Sequence, residues 1–419
     1  MLRCFLPATL LAVLFALPIS AAEPAFPLKD GDVWVMAGDS ITAQHLHSNY
    51  FEAFCYARYP KLKFAFRNSG VGGHTIPSTL ARFDYDVAGW KPTVVSVELG
   101  MNDAGGTATD KFVSNMGTMV ARIKEAGARP VILSASPVND GTGAGKFSTR
   151  NVRLDEYATA LKTFAEKEKV PYADQFHALV EVWAKNKQDA KGISLTGDAV
   201  HPGVPGQLMM AASLMKALNA EGFVSEATLD AAGTVTSSKG CTISNAKADG
   251  GTLSFDRLDE TLPFPIPDNA RVILPITPDV LDLSKYTLTV KGLKGADYTL
   301  SIDGAACGTL SAKALAEGVN LTNLSADAKA KNPIAVQGTA VLAAVAAKEG
   351  IVGKWRAASK TAAGKDTPPK KDAPPAAKPD PAATKALLAE LAKQVEAADA
   401  KIREAAKPQT LHFVLTPVK

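Results

Sequence analysis

Ser40, Asp198 and His201 carry the side chains that nucleophilic attack on an acyl group requires. A serine hydroxyl becomes a good nucleophile only when a neighbouring base removes its proton. His201 can be that base, and Asp198, three residues earlier, can hold the second ring nitrogen and stabilise the imidazolium. The sequence therefore offers a nucleophile, a general base and an orienting carboxylate.

Acyl transfer also needs hydrogen-bond donors for the oxyanion that develops on the carbonyl oxygen. The backbone N–H groups of Ser40 and Gly73 and the side-chain amide of Asn102 can supply them. A glycine at position 73 also lets the backbone approach a ligand closely. We therefore expect Ser40, Gly73 and Asn102 to form an oxyanion hole.

Three further polar residues lie next to these positions and are candidates for the pocket lining: Asp39, His74 and Asp103. We expect Asp39 to support the turn before the serine and to take no part in proton transfer. His74 either lines the pocket or caps the helix that follows it. Asp103 competes with Asp198 as the partner of His201, but Asp198 is favoured because it shares a short loop with the histidine.

His45 and His47 follow Ser40 by one to two helical turns, and we expect both to face solvent. A metal site that combines them with His74 is conceivable, but no ligand spacing typical of such a site occurs. We expect neither a metal nor a cofactor.

The candidate residues lie at the ends of predicted β-strands, in a region where strands and helices alternate. The strands are predicted at 32–37, 62–67, 93–99, 130–135 and 170–173, and the helices at about 42–58, 76–88, 110–126, 151–168 and 203–220. Such alternation indicates βαβ units and a parallel sheet with helices on both faces. Ligands of such sheets bind beyond the carboxyl ends of the strands, where the candidate residues could meet in one cleft.

Four short motifs together resemble the SGNH, or GDSL, hydrolase superfamily. They are Gly38-Asp39-Ser40, Asn68-x-Gly70-x-x-Gly73, Gly100-x-Asn102-Asp103 and Asp198-x-x-His201. The resemblance implies that Ser40 is the nucleophile and that Asp198 and His201 complete a catalytic triad. It also implies that Gly73 and Asn102 complete the oxyanion hole.

The resemblance covers about residues 31–220 and implies an α/β fold, a flavodoxin-like three-layer α/β/α sandwich with a parallel sheet. It further implies hydrolysis of esters or thioesters without a metal. The sequence has no Gly-x-Ser-x-Gly motif, which argues against the α/β-hydrolase fold.

The remainder of the chain lies outside the resemblance. The predicted organisation is a signal peptide at 1–22, an SGNH hydrolase domain at 23–225, a β-rich module with a following helix at 226–357, a disordered Ala/Pro/Lys linker at 358–381, and an amphipathic helix with a terminal strand at 382–419. Alternating apolar residues at 286–302 predict a β-hairpin. We expect the last helix to dock onto the body and not to form a coiled coil.

The N-terminus predicts export. Arg3 precedes an apolar run at 5–19, and small residues at Ser20 and Ala22 suit cleavage after Ala22. We expect a secreted or periplasmic protein with no membrane span, because the run at 5–19 is short for a membrane span and no later apolar segment is long enough.

Three cysteines remain after cleavage: Cys55, Cys241 and Cys307. An odd number allows at most one disulfide, so either Cys241 pairs with Cys307 or all three are buried thiols. The net charge of +4 is small for 419 residues and indicates no nucleic-acid partner. The oligomeric state stays open.

These residues and motifs predict an exported serine esterase that works through an acyl-enzyme intermediate on a small-molecule or polysaccharide ester. Removal of acetyl groups from carbohydrate is the favoured reaction. A lipase, lysophospholipase or arylesterase of the same superfamily is the alternative. A protein of another class, a non-catalytic glycan-binding or envelope scaffold, would retain the fold without the reaction.

Overall fold

The structure is a computed structural model that describes residues 26–139, 149–188, 195, 198–277, 279–324, 332–365 and 380–418. The predicted signal peptide at 1–22 lies outside the described residues. So do residues 366–379, which make up most of the predicted linker.

The first half of the chain alternates strands and helices around one parallel sheet. Its strands are β1 (Asp32–Gly38), β2 (Phe64–Gly70), β3 (Val94–Glu98), β4 (Arg129–Leu133) and β5 (Tyr172–Ala173). Its helices are α1 (Ser40–Ala43), α2 (His47–Arg58), α3 (Ile76–Leu80), α4 (Thr109–Glu125), α5 (Thr149–Glu168), α6 (Gln175–Gln188) and α7 (Val204–Ala217). The strand order β2-β1-β3-β4-β5 is the flavodoxin-like order, so the predicted fold class is confirmed.

Both faces of this sheet are buried. In β1, Trp34 and Met36 pack on one face with α2 and α7, whereas Val35 and Ala37 pack on the other face with α3 and α4. A strand that is buried on both sides reads as a continuous apolar run, which explains the sequence before Gly38.

Two predicted helices differ from those observed, and one observed helix was not predicted. The helix predicted at 42–58 is interrupted between α1 and α2, where His45 has a left-handed backbone (φ 57°) that no α-helix accommodates. The helix predicted at 76–88 ends at Leu80 and gives way to a π-helical turn, Phe83–Val87. Helix α6 was not predicted, although its buried Phe176 and Leu179 follow helical spacing.

The second half of the chain adds two sheets and a helical pair. The strands are β6 (Phe223–Asp230), β7 (Val235–Lys239), β8 (Cys241–Asp249), β9 (Thr252–Asp259), β10 (Lys285–Lys291), β11 (Asp297–Ile302), β12 (Ala305–Ser311), β13 (Val319–Asn320) and β14 (Leu411–Pro417). The helices are α8 (Asp279–Asp282), α9 (Ala312–Glu317), α10 (Pro333–Ala362) and α11 (Pro381–Ala405). The sheets have the orders β13-β10-β6-β7 and β12-β11-β14-β9-β8, so the C-terminal strand lies inside the second sheet.

The β-hairpin predicted at 286–302 is wrong. Strand β10 pairs with β6 and β13, whereas β11 pairs with β12 and β14, so the two strands belong to different sheets. Their alternating apolar residues, including Leu288 and Leu300, share one core. A period of two residues identifies a strand with one buried face but does not specify its pairing partner.

The long helix α10 packs against α11 and against α2 and β2 of the first half. It runs five residues past the predicted end at 357, into the predicted linker. Ala358 and Ser359 are buried there, and the Ser359 hydroxyl donates to the Tyr85 carbonyl (2.7 Å). We predicted this helix as the end of the β module, but it covers the edge of the parallel sheet.

Charged contacts fix α10 and α11 on that edge. Lys348 of α10, which is fully buried, donates to Glu52 Oε2 and to the Phe66 carbonyl of β2, both at 2.8 Å. Asp399 of α11 pairs with Arg67 of β2 at 2.8 Å. Both helices therefore interact with β2, the edge strand.

Helix α10 is also long and apolar enough to cross a membrane, with a mean hydropathy of 1.3 in its most apolar window. Our expectation that no later segment is long enough is therefore wrong. Buried helices of water-soluble proteins meet the same two criteria. In this structure α10 uses a buried lysine to contact the body.

Cys55, Cys241 and Cys307 are buried free thiols. The structure thus contains no disulfide between Cys241 and Cys307, the pairing that the sequence left open. All three side chains behave as small apolar residues of the core.

Candidate active site

Ser40 lies at the carboxyl end of β1, where the chain turns directly into α1. The Asp39 carboxylate caps this helix, because its Oδ1 accepts the Ile41 N–H at 2.9 Å. Gly38 makes the tight turn possible, since a Cβ at this position would lie 2.6 Å from Thr42 Cβ and 2.9 Å from the Glu98 carbonyl oxygen. The strand-to-helix turn thereby presents the serine at the edge of the sheet.

His201 lies beside Ser40, with its Nε2 2.8 Å from Ser40 Oγ. Its Nδ1 is 2.9 Å from Asp198 Oδ2, so a continuous hydrogen-bond chain joins the three side chains. Asp198 Oδ1 accepts the backbone N–H groups of Val200 (2.7 Å) and His201 (2.8 Å). These two hydrogen bonds lower the pKa of Asp198 to about 2, so its carboxylate is ionised at neutral pH.

Gly73 and Asn102 lie on the two neighbouring loops. Gly73 has a left-handed backbone (φ 75°), which glycine adopts without strain. The Asn102 amide donates to the His74 carbonyl at 3.0 Å and to Asp39 Oδ2 at 3.3 Å. The amide thus bridges the Ser40 turn and the segment that contains Gly73.

Comparison with known proteins points to the same family as the sequence motifs. The sequence model of the GDSL-like lipase/acylhydrolase family matches residues 36–208. We call residues 36–208, which match this family model, the GDSL domain. An acetylxylan esterase of Geobacillus stearothermophilus is 27% identical over 181 residues, which are 41% of this chain and 80% of that protein.

Solved structures resemble the chain as well. A gut microbial diltiazem-metabolizing enzyme is 24% identical, with a TM-score of 0.76 over 94% of this chain and 100% of its own. That match extends the shared fold beyond the GDSL domain to the C-terminal sheets and helices. An acetylxylan esterase structure from Geobacillus stearothermophilus matches 45% of this chain and 95% of its own, at 21% identity and a TM-score of 0.39.

Two residues of the second sequence motif, Asn68 and Gly70, hold helix α1 in place. Asn68 of β2 donates its amide to the Thr42 carbonyl of α1 (2.7 Å) and to Ser48 Oγ (2.9 Å). Asn68 Oδ1 accepts the Gly70 N–H at 2.8 Å, which fixes the amide orientation. Asn68 and Gly70 therefore position α1, and of this motif only Gly73 belongs to the proposed oxyanion hole.

Three carboxyl groups close to the candidate site are buried: Asp39, Glu98 and Asp103. Burial raises the pKa of Asp39 to about 6 and that of Asp103 also to about 6. Burial and the nearby Asp39 raise the pKa of Glu98 well above its usual value, and Glu98 accepts a hydrogen bond from Thr42 (2.9 Å). Sequence reasoning missed Glu98, although an acid at the end of an apolar strand was a visible signal.

Asp103 contacts the start of α3 and not His201, the partner for which it competed with Asp198 in the sequence analysis. Its Oδ1 accepts the Ile76 N–H at 3.3 Å, at the start of α3. His201 has its carboxylate contact with Asp198 instead. Asp39 supports the turn, as the sequence suggested, through Ile41 and Asn102.

His74 does not cap the helix that follows it. Thr75 is the cap, and its side chain and that of Ser78 form a reciprocal capping box. His74 is half-buried, and its Nδ1 accepts a hydrogen bond from Arg82 Nε at 3.1 Å. Burial, together with the charge of Arg82, lowers its pKa.

The expectation that His45 and His47 face solvent is wrong. His47 is only 1% exposed, and both its backbone N–H (2.9 Å) and its Nδ1 (3.0 Å) contact Gln207 Oε1. Burial lowers the pKa of His47 to about 4, so its ring is neutral. His45 is half-buried, with its Nδ1 3.7 Å from Glu349 of α10. Within the described ranges, no three His, Cys, Asp or Glu residues form a group that could hold a metal ion.

Proposed function

We propose that the protein is an exported serine esterase that removes O-acetyl groups from carbohydrates through an acyl-enzyme intermediate. The observation that carries the proposal is the hydrogen-bond chain from Ser40 Oγ to His201 Nε2 (2.8 Å) and from His201 Nδ1 to Asp198 Oδ2 (2.9 Å). The match of residues 36–208 to the GDSL-like lipase/acylhydrolase family model, reported above, supports ester hydrolysis.

Acylation begins when Ser40 Oγ attacks the ester carbonyl carbon and its proton passes to His201 Nε2. The ionised Asp198 stabilises the imidazolium that forms and keeps Nδ1 protonated. The tetrahedral intermediate then collapses, and His201 gives its proton to the departing alcohol oxygen. The acetyl group remains on Ser40 as an ester.

The oxyanion of the intermediate accepts hydrogen bonds from the N–H groups of Ser40 and Gly73 and from the Asn102 amide. In this structure the two amide hydrogens of Asn102 point to His74 and Asp39. The bond to Asp39 is the longer one, at 3.3 Å, and is the one that the oxyanion replaces.

Deacylation repeats these steps with water. His201 takes a proton from the water, the hydroxide oxygen attacks the acetyl carbon, and the intermediate collapses with return of the proton to Ser40 Oγ. The products are acetate and the regenerated serine. His201 thus acts as base and then as acid in each half-reaction.

The substrate class rests on two observations. The acetylxylan esterase that matches over 41% of this chain acts, by its name, on an acetylated polysaccharide. The segment between Ser40 and Gly73 has no long apolar insert of the kind that covers long acyl chains, which favours a small acyl group. Export rests on Arg3, the apolar run at 5–19 and the small residues before the expected cleavage at Ala22.

The test compares wild type, Ser40→Ala and a matched serine variant, Ser114→Ala, on p-nitrophenyl acetate. Ser114 is exposed on α4 and is none of the residues assigned to the candidate site. We expect Ser40→Ala to lose at least about 10³-fold in kcat, as removal of a nucleophile does, and Ser114→Ala to match wild type. Equal rates in all three proteins would rule out Ser40 as the nucleophile.

Substrate comparison with the wild type tests the finer assignment. We expect acetate release from acetylated xylan and a preference for p-nitrophenyl acetate over the octanoate. Faster hydrolysis of octanoate or phospholipid would replace the acetylesterase by a lipase. Absence of hydrolysis on every ester would favour a non-catalytic scaffold.

A further inference from the structure

We propose that Arg82 positions the oxyanion loop and that Arg356 of α10 supports Arg82 through Asp86, so that the C-terminal helix controls turnover at Ser40. The proposal rests on the proposed function, because a positioning effect needs Ser40 to be the nucleophile. We call Arg82, Asp86 and Arg356 the arginine relay.

All three nitrogen atoms of the Arg82 guanidinium group donate hydrogen bonds next to the candidate site. It is 3% exposed, and its N–H groups contact His74 Nδ1 (3.1 Å), Ser69 Oγ (2.9 Å), Asp86 Oδ2, the Gly38 carbonyl oxygen (3.2 Å) and Thr79 Oγ1 (3.5 Å). A guanidinium carries five N–H donors in a fixed planar geometry, which a lysine ammonium does not reproduce.

Two of these contacts reach the proposed oxyanion hole from opposite sides. Gly38 precedes the Asp39–Ser40 turn, so the hydrogen bond to its carbonyl fixes the start of that turn. His74 follows Gly73, so the hydrogen bond to its ring fixes the end of the glycine loop. One side chain therefore sets the distance between two of the expected oxyanion donors.

His74 transmits this restraint to the third donor. Its ring accepts from Arg82, and its carbonyl oxygen accepts from the Asn102 amide at 3.0 Å. A shift of His74 would therefore move Asn102 as well. Losing one oxyanion donor costs about 10²–10³ in kcat, and misplacing donors costs part of that.

Asp86 connects Arg82 to the C-terminal helix. Its carboxylate accepts Arg356 Nε at 2.6 Å and Nη2 at 2.8 Å, and the same group pairs with Arg82. Burial alone would raise the pKa of Asp86, but the two guanidinium groups hold it below its usual value. Ser359, one turn beyond Arg356, binds the Tyr85 carbonyl (2.7 Å), so α10 fixes both residues 85 and 86.

The competing explanation is that Arg356 merely anchors α10. A matched contact separates the two explanations, because Asp399 of α11 also pairs with a buried arginine, Arg67 of the edge strand β2. Asp86 and Asp399 are both buried aspartates that bind arginine. Only Asp86 connects to the loops that flank Ser40.

The experiment compares full-length wild type, Asp86→Asn, Arg356→Met and the control Asp399→Asn. We measure kcat and KM on p-nitrophenyl acetate, the melting temperature, and inhibition by a methyl trifluoromethyl ketone, which adds to serine and forms an oxyanion. We expect kcat to fall about 10- to 100-fold in Asp86→Asn and about 10-fold in Arg356→Met, with KM within about threefold. The inhibition constant should rise in parallel with the loss of kcat.

The control should lose thermal stability but keep kcat within about twofold. Unchanged kcat in both relay variants, or an equal loss of kcat in Asp399→Asn, would overturn the relay. If Ser40→Ala loses activity while the relay variants keep it, the proposed function stands and the relay alone fails. If Ser40→Ala keeps activity, the proposed function and the relay both fail.

Discussion

Replacing Gly70 by alanine is expected to displace Ser40, the proposed nucleophile, without changing any of the proposed catalytic side chains. Gly70 ends β2 and lies against the backbone of α1, the helix that begins with Ser40. A Cβ at position 70 would lie 2.8 Å from both Ala43 Cα and the Thr42 carbonyl carbon, and closer still to Ala43 N. These neighbours are backbone atoms, so no side-chain rotation relieves the contact.

The geometry sets the size of the effect. Ordinary van der Waals contact begins at 3.4 Å, so the nearest backbone atom of α1, Ala43 N, must retreat by about 1 Å from the added Cβ. Displacement of a reacting group by about 1 Å costs about 10²-fold in rate, so we expect kcat to fall about 10- to 100-fold. Overpacking should also destabilise the fold by about 1–3 kcal/mol.

The assay is kcat on p-nitrophenyl acetate, with the melting temperature measured alongside. Gly353→Ala is the matched control, since Gly353 lies in α10 with no atom within 4 Å of the added Cβ. Alanine is the better helix former, so this variant should melt slightly higher and keep wild-type kcat. Wild-type kcat in Gly70→Ala would refute the view that the close contact of β2 and α1 sets the position of Ser40.

Two further predictions concern buried charge. Burial raises the pKa of Asp103 from 3.8 to about 6, so the stabilisation by its protonated carboxyl group is full below pH 3.8 and is lost as the pH rises through 6. In urea unfolding, the stability of Asp103→Asn relative to wild type should therefore rise by about 1–3 kcal/mol between pH 4 and pH 8. Parallel stability curves of the two proteins over this pH range would contradict the prediction. Lys348→Met leaves Glu52 and Glu349 buried without their cation, so it should lower the free energy of unfolding by about 3–5 kcal/mol. The double variant Lys348→Met/Glu52→Gln should recover part of this loss. A loss below about 1 kcal/mol in Lys348→Met would contradict the prediction.

The candidate site residues could be predicted from the sequence because each is of a type that the proposed ester hydrolysis requires. A serine at a strand end, an Asp-x-x-His loop and a glycine-rich turn are local patterns, and the strand and helix alternation placed them on one edge of a sheet. The distance of 2.8 Å from Ser40 to His201 is the contact that those patterns implied. The parallel sheet followed from the same alternation of strands and helices.

The residues that fix these positions were not predictable in the same way. Arg82 and Asp86 have the spacing of an ordinary surface ion pair on a helix, yet both are buried. Arg356 reaches Asp86 from a helix that lies 270 residues later in the chain. The prediction that β10 pairs with β11 was wrong for a related reason. Alternation of apolar residues indicates that one face of a strand is buried, but it does not specify which distant strand pairs with it.

Helices α10 and α11 contribute no residue to the candidate site, but they cover the edge strand β2, which ends beside it. An edge strand has backbone groups without a neighbouring strand, and proteins cover such edges. Here Lys348 binds the Phe66 carbonyl (2.8 Å) and Arg403 of α11 binds the Phe64 carbonyl (2.5 Å), so side chains of α10 and α11 take the place of a sixth strand. The same strand ends at Gly70 against α1. The family match stops at residue 208, but the contacts that we propose to orient the Ser40 region extend through Asp86 to Arg356 of α10. The structural unit of the site is therefore larger than the GDSL domain.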